Sequence, residues 1–166
     1  MKKMTANRII SIDPGDHIGI VCCTYSIDNP MSVKGTTFEG CDRNMKLWNL
    51  LNDFNPDVII FEQFALRPGM AAKLAGNKFI TCEVIGVIKL YVQLNKDVCL
   101  IEQLPSTKEY CGFSSNPRDD EYKHIQLINR DEKITEHVRD AYRLYRYWLL
   151  FGNKLKTLDI KNKKEL

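Results

Sequence analysis

The chain has 166 residues, 44% of them hydrophobic and 27% charged, with a formal net charge of +3. That is enough for one domain with its own core and too little for the repeated domain pair of an actin-like or sugar-kinase ATPase, and the charge alone does not argue for a nucleic-acid partner. The six cysteines form no CxxC pair and show no metal-finger spacing, and the longest apolar stretch, FITCEVIGVIKLYVQL, is broken by Glu83 and Lys89. A disulfide scaffold and a membrane span are thereby excluded, and the expectation is a reduced, cytoplasmic protein without a signal peptide.

In chain order, residues 8–13 and 17–25 read as strands joined by the Pro14-Gly15 turn, and residues 32–40 as a third strand. A helix follows over 42–54, with Met45, Leu47, Leu50, Leu51 and Phe54 as its apolar stripe. Pro56 separates it from DVIIFEQ, an apolar run bounded by acids that predicts a central strand covered on both faces. A long helix over 70–94 carries Ala71, Ala72, Ala75, Gly76 and Gly86, small enough to lie close to a sheet. Residues 97–104 form another strand ending at Pro105. A loop at 112–117 and a shorter helix within NPRDDEYKHIQLIN come next, and the last helix is ITEHVRDAYRLYRYWLLF, 134–151. The order predicts an α/β protein, a mixed five-stranded sheet flanked by helices, in one domain over 1–152. The tail 153–166, with five lysines against two acids, reads as solvated and weakly phosphate-seeking.

Asp13 ends the first strand and Glu62 the central one. Ligands of open α/β sheets gather beyond the carboxyl ends of strands, where both acids lie, although each also suits the start of a loop. In the last helix, Ile134, Val138, Ala141, Tyr145, Trp148 and Leu149 share one arc that must face the core. Arg139, Arg143 and Arg146 fall opposite, toward water or a polyanion. His137 lies at the edge of the apolar arc, and Asp140 stands one turn on and about 60° round, so the two side chains reach a common point. A buried histidine satisfied by the core is the plainer alternative, and Arg143, at i+3 from Asp140, could make that acid purely structural. Taken together, Asp13, Glu62, His137 and Asp140 are an oxygen-rich set whose mutual repulsion calls for a cation, and it favours Mg²⁺ or Mn²⁺, with room in principle for two ions roughly 4 Å apart.

IISIDPGDHIGIV, VIIFEQF and EHVRDAYRL resemble, in order and spacing, the motifs of the RuvC family of Holliday-junction resolvases. The likeness covers most of the chain, and its compact, divergent look resembles a phage or mobile-element member. It implies a ribonuclease H-like fold and a homodimer that nicks a four-way DNA junction in symmetric pairs. It also implies that Asp13, Glu62, His137 and Asp140 are the metal-binding catalytic four, with His137 standing where some members have Asp. Lys108 falls where the family tends to place a basic residue near the scissile phosphate. The loop FALRPGMAAK lacks the wedge aromatic of some members at its usual position. Phe64, one residue earlier, becomes the candidate for stacking on a base, and Arg67, Lys73 and Lys78 the candidate phosphate contacts.

Two other readings stay beside this one. The same chemistry suits flapped, branched or packaging-related DNA, since the catalytic four respond to phosphodiesters rather than to junction shape. A non-catalytic DNA-binding module of the same fold is the reading from another class, and the presence of all four candidate ligands argues against it.

Overall fold

The computed structural model describes residues 8–24, 31–64, 79–110, 122, 125–128 and 133–162, the last ten by backbone alone. Its elements are β1 (Arg8–Asp13), β2 (Ile18–Thr24), β3 (Ser32–Phe38), α1 (Arg43–Phe54), β4 (Val58–Glu62), α2 (Ile80–Leu94), β5 (Cys99–Gln103), a 3₁₀ helix (Pro105–Tyr110), β6 (Gln126–Leu127) and α3 (Glu136–Asn162).

The strands form one mixed sheet in the order β5-β4-β1-β2-β3-β6. β1 pairs antiparallel with β2 and parallel with β4, and β4 pairs parallel with β5. The sheet therefore has six strands where five were expected. The added one is Gln126–Leu127, parallel to the edge of β3, within the stretch assigned to a helix from its sequence. An open backbone edge on β3 captures two residues that local propensity does not mark as strand. The rest of that expected helix lies largely outside the described residues, as do residues 70–78 of the expected long helix.

Period-two alternation sorts the strand side chains into two cores. Ile9, Val21, Cys23, Val33, Val58 and Ile60 face α3, where Val138, Ala141, Tyr142, Leu144 and Tyr145 cover them. Ile10, Ile12, Ile20, Cys22, Ile59 and Phe61 face the other way, under Leu47 and Leu51 of α1 and Val84, Ile88 and Tyr91 of α2. The Tyr91 hydroxyl donates to the Leu51 carbonyl at 2.9 Å and locks these two helices together. α1 stops at Asn55, whose left-handed φ of 46° is one asparagine tolerates and whose N–H closes on Leu51; Pro56 then bars continuation. Burial of the adjacent thiols pushes Cys22 up to about 12 and Cys23 higher still, so both act as small core residues.

Several helix expectations change. Met45 is exposed, and Trp48 packs in its place against Tyr91. Gly86 faces open space, while the close approach to the sheet is made by α3. A Cβ on Gly19 of β2 would lie 2.0 Å from the His137 carbonyl oxygen, so only glycine lets the first turn of α3 rest on the strand. Leu149 is exposed, whereas Tyr142 and Leu144 are fully covered. The arginine face is half-buried rather than free in water: the Arg139 guanidinium sits 5.2 Å over the Tyr122 ring, and Arg143 lies against Asp140. α3 is thus buried over a wider arc than one sheet face requires. It also runs to Asn162, through most of the segment expected as a solvated tail. No described helix is long and apolar enough to cross a membrane.

Candidate active site

The alternation that builds the two cores also places the acids. Ile9 and Val58 are register partners facing α3, so Asp13 and Glu62, four residues further along each, emerge on that same face at the carboxyl ends of adjacent parallel strands. The turn after Asp13 is pinned from α1 by Arg43, which bonds the Asp16 carboxylate and donates to its carbonyl at 2.9 Å. Asp140 and His137 descend from the first turns of α3, which Gly19, the register partner of Asp13, admits to the strand.

Lys108 lies in the middle. Its Nζ donates to Glu62 Oε2 at 2.5 Å and Asp140 Oδ2 at 2.7 Å, and stands 3.5 Å from Asp13 Oδ1. The four side chains are only 13–21% exposed. The 3₁₀ helix that carries Lys108 is tied to the end of β5, where the Thr107 hydroxyl donates to the Leu104 carbonyl at 2.7 Å and to Gln103 Oε1 at 3.3 Å. Burial by itself would push the Lys108 ammonium down. The surrounding carboxylates of Asp13, Asp140 and Glu62 outweigh it and hold that group well above the usual lysine range, so it is charged at any working pH. The remaining Asp140 oxygen, Oδ1, takes Arg143 at 3.3 Å, so the structural partner open to Asp140 from its spacing is present alongside Lys108.

His137 Nδ1 lies 3.1 Å from Asp13 Oδ2. One face of its ring stacks on His17, with centroids 5.4 Å apart and planes 17° from parallel. His17 Nδ1 in turn lies 2.8 Å from Glu39 Oε2. These residues border an open cleft of about 510 Å³, lined also by Thr37, Lys133, Thr135 and Glu136. His17 and Glu39 were not among the residues singled out from the sequence. Their link to His137 spans 120 positions of chain, and no local spacing encodes it.

The fold therefore brings together Asp13, Glu62, His137, Asp140 and Lys108. Phe64 sits two residues past Glu62, 36% exposed, edge-on to the exposed ring of Phe79 at 6.0 Å. Arg67, Lys73 and Lys78 lie outside the described residues.

Among the described residues, no group of three or more His, Cys, Asp or Glu side chains is drawn close enough to hold one metal ion. Lys108 occupies the space between the carboxylates. The donor chemistry nonetheless fits a hard divalent cation, because three carboxylates already converge on one positive centre and an imidazole borders it.

Glu62 departs in the opposite sense from a salt-bridged acid. Burial raises its pKa by more than the Lys108 bond and charge lower it, and the Asp13 and Asp140 carboxylates add to the rise. A carboxyl raised in the folded state contributes stability below the range where a free glutamate ionises, near pH 4.3, and loses it as pH climbs through the folded value. Glu62→Gln is therefore expected to melt higher than the natural chain above that range, with a gap that grows until pH passes the folded value and is absent where both states are protonated. Thermal melts from pH 4 to 8 in chelator check this. A variant less stable across the whole range would mean that the Lys108 bond outweighs the burial.

A mixed sheet with acids at the ends of β1 and β4 and a third on a covering C-terminal helix defines a ribonuclease H-like α/β protein. Several solved structures share this fold. Thermus thermophilus RuvC in complex with Holliday-junction substrate matches with a TM-score of 0.60 at 14% identity, over 89% of this chain and 95% of that one. The yeast mitochondrial Holliday-junction resolvase Ydc2 matches with 0.59 at 16% identity, over 97% and 85%. The fowlpox virus resolvase, in complex with Holliday-junction DNA, matches with 0.54 at 16%, over 82% and 94%. The chain shares the fold of these resolvases across nearly its whole length. No family model and no curated protein matches its sequence.

Proposed function

We propose that the chain is a divalent-metal-dependent endodeoxyribonuclease that resolves four-way DNA junctions by paired nicks, acting as a homodimer on a two-fold substrate. The observation that carries this reading is the convergence of Asp13, Glu62 and Asp140 on one cationic point, with His137 on Asp13, in a fold shared with three Holliday-junction resolvases.

Asp13, Glu62, Asp140 and His137 would hold Mg²⁺, with Mn²⁺ as a substitute and two ions as the expected number. Such a metal would supply a water activated at neutral pH and neutralise charge developing on the phosphate. Lys108, held among the same three carboxylates, would offset the negative charge of a phosphodiester bound at this point. The Asp13 carboxylate holds the His137 ring at Nδ1 and leaves Nε2 for a metal or a proton. Phe64, beside Phe79, offers a ring face to an unstacked base. Arg67, Lys73, Lys78 and the basic run 153–166 are the further phosphate contacts of this reading, and residues 1–152 form the nuclease domain.

His137→Asp is expected to keep cleavage within about tenfold of the natural chain, since a carboxylate replaces the imidazole as a ligand. A folded but inactive variant would assign His137 to proton transfer instead. Substrate choice is tested by competing cleavage of a labelled junction with unlabelled junction, flap and linear duplex of the same arms. Only the junction is expected to compete at equal concentration. Equal competition by a flap or duplex would keep the active site and reject the junction as its substrate.

A further inference from the structure

His137 needs more than Asp13 to hold its ring. Its side chain is 42% exposed, and one hydrogen bond to Nδ1 leaves the imidazole free to rotate about that contact. The plane is set from the other side, by the parallel face of His17 at 5.4 Å. His17 would be a poor brace alone, because its own side chain is 49% exposed at the head of β2. It is anchored by the 2.8 Å contact of its Nδ1 with Glu39, just past the end of the neighbouring strand β3. The result is a continuous series, Glu39–His17–His137–Asp13, whose first three members line the cleft. Two fixed contacts, one at a ring atom and one on a ring face, determine the direction of Nε2.

We propose that His17 is a positioning residue for this nuclease site, braced by Glu39 and acting through His137. This rests on the nuclease reading for its kinetic consequence but not for its geometry. An outer contact that orients an active-site imidazole is worth 10- to 100-fold in activity or metal affinity when removed. A ring stack should be replaceable by another flat ring, whereas a direct ligand or a DNA hydrogen bond should not.

The test uses His17→Ala and His17→Phe in the full chain, with single-turnover cleavage of a four-way junction, junction affinity, and imidazole ¹⁵N–¹H spectra read in parallel. His17→Ala is expected to slow cleavage about tenfold or more while junction Kd stays within about twofold. His17→Phe keeps a ring for the stack but loses the Glu39 anchor, and is expected to recover part of that rate. The His137 ring signals should lose their ring-current shift in the Ala variant and retain one in the Phe variant. His137 signals unmoved by His17→Ala would overturn the proposal, as would a Phe variant as slow as the Ala variant. A fall in junction affinity as large as the fall in rate would overturn it too, by making His17 a DNA contact. A natural chain that shows the expected His137 shifts but cleaves no junction would defeat the nuclease reading and leave the positioning intact.

Discussion

Asp13→Asn is expected to reduce junction cleavage about a thousandfold or more while leaving junction affinity within about twofold. Asp13 touches both halves of the site, His137 through Oδ2 and Lys108 through Oδ1, and is the most buried of the three acids at 13% exposure. Asparagine keeps the shape of the side chain and removes its charge. It keeps one carbonyl acceptor and turns the other oxygen into an N–H₂ donor, so the charged ligand is lost and the contacts to Lys108 and His137 are weakened. Lys108 keeps Glu62 and Asp140, so the fold is not at risk. Gel-shift and single-turnover assays on the same preparation separate the two effects. Loss of affinity along with cleavage would show that Asp13 shapes the DNA surface, and retained cleavage would place the active site elsewhere.

Gly19→Ala is expected to be nearly as damaging from a position that touches no substrate. The added Cβ would sit 2.0 Å from the His137 carbonyl oxygen and 2.8 Å from its Cβ, and the first of these is backbone that cannot turn aside. Either α3 lifts from β2 or the strand bends, at a cost of about 3 kcal/mol. Both movements shift His137 and Asp140 relative to Asp13, and a displacement near 1 Å in a catalytic set costs about 100-fold in rate. Gly86→Ala is the matched control. It meets nothing within 4 Å on the exposed side of α2, and it is expected to stabilise by about 0.5–1 kcal/mol with unchanged cleavage. Urea melts and cleavage rates of the two variants check the pair. A Gly19→Ala protein as stable and active as Gly86→Ala would mean that α3 does not depend on this seat.

The strand part of the site was legible because strands announce themselves by local pattern. The runs ending in Asp13 and Glu62 are apolar, bounded by a Pro-Gly turn and by Pro56, and strict alternation puts both acids on one face once β1 and β4 are neighbours. The helical part was legible in its spacing but not in its surroundings. A wheel drawn for one buried face put Arg139, Arg143 and Arg146 in water or on a polyanion, whereas α3 is also covered by Tyr122 and meets its own Asp140. Lys108 was reached only through family likeness. Its place among three carboxylates depends on a 3₁₀ helix tied back to Gln103, and nothing in LPSTKEYCG encodes a partner 95 residues away. His17 and β6 were missed for the same reason, since a ring stack across two elements and a two-residue edge pairing exist only once the sheet has closed.

The central claim is that one metal-dependent site cuts junctions. The most direct measurement is cleavage of a four-way junction labelled on each strand in turn, beside linear duplex of the same arms, in Mg²⁺, in Mn²⁺ and in chelator. Paired nicks at symmetric positions on the junction alone, with either metal and none in chelator, are the expected result. Tight junction binding with no cleavage in any metal would contradict the account and leave a DNA-binding protein that has kept the fold and its acids without the chemistry.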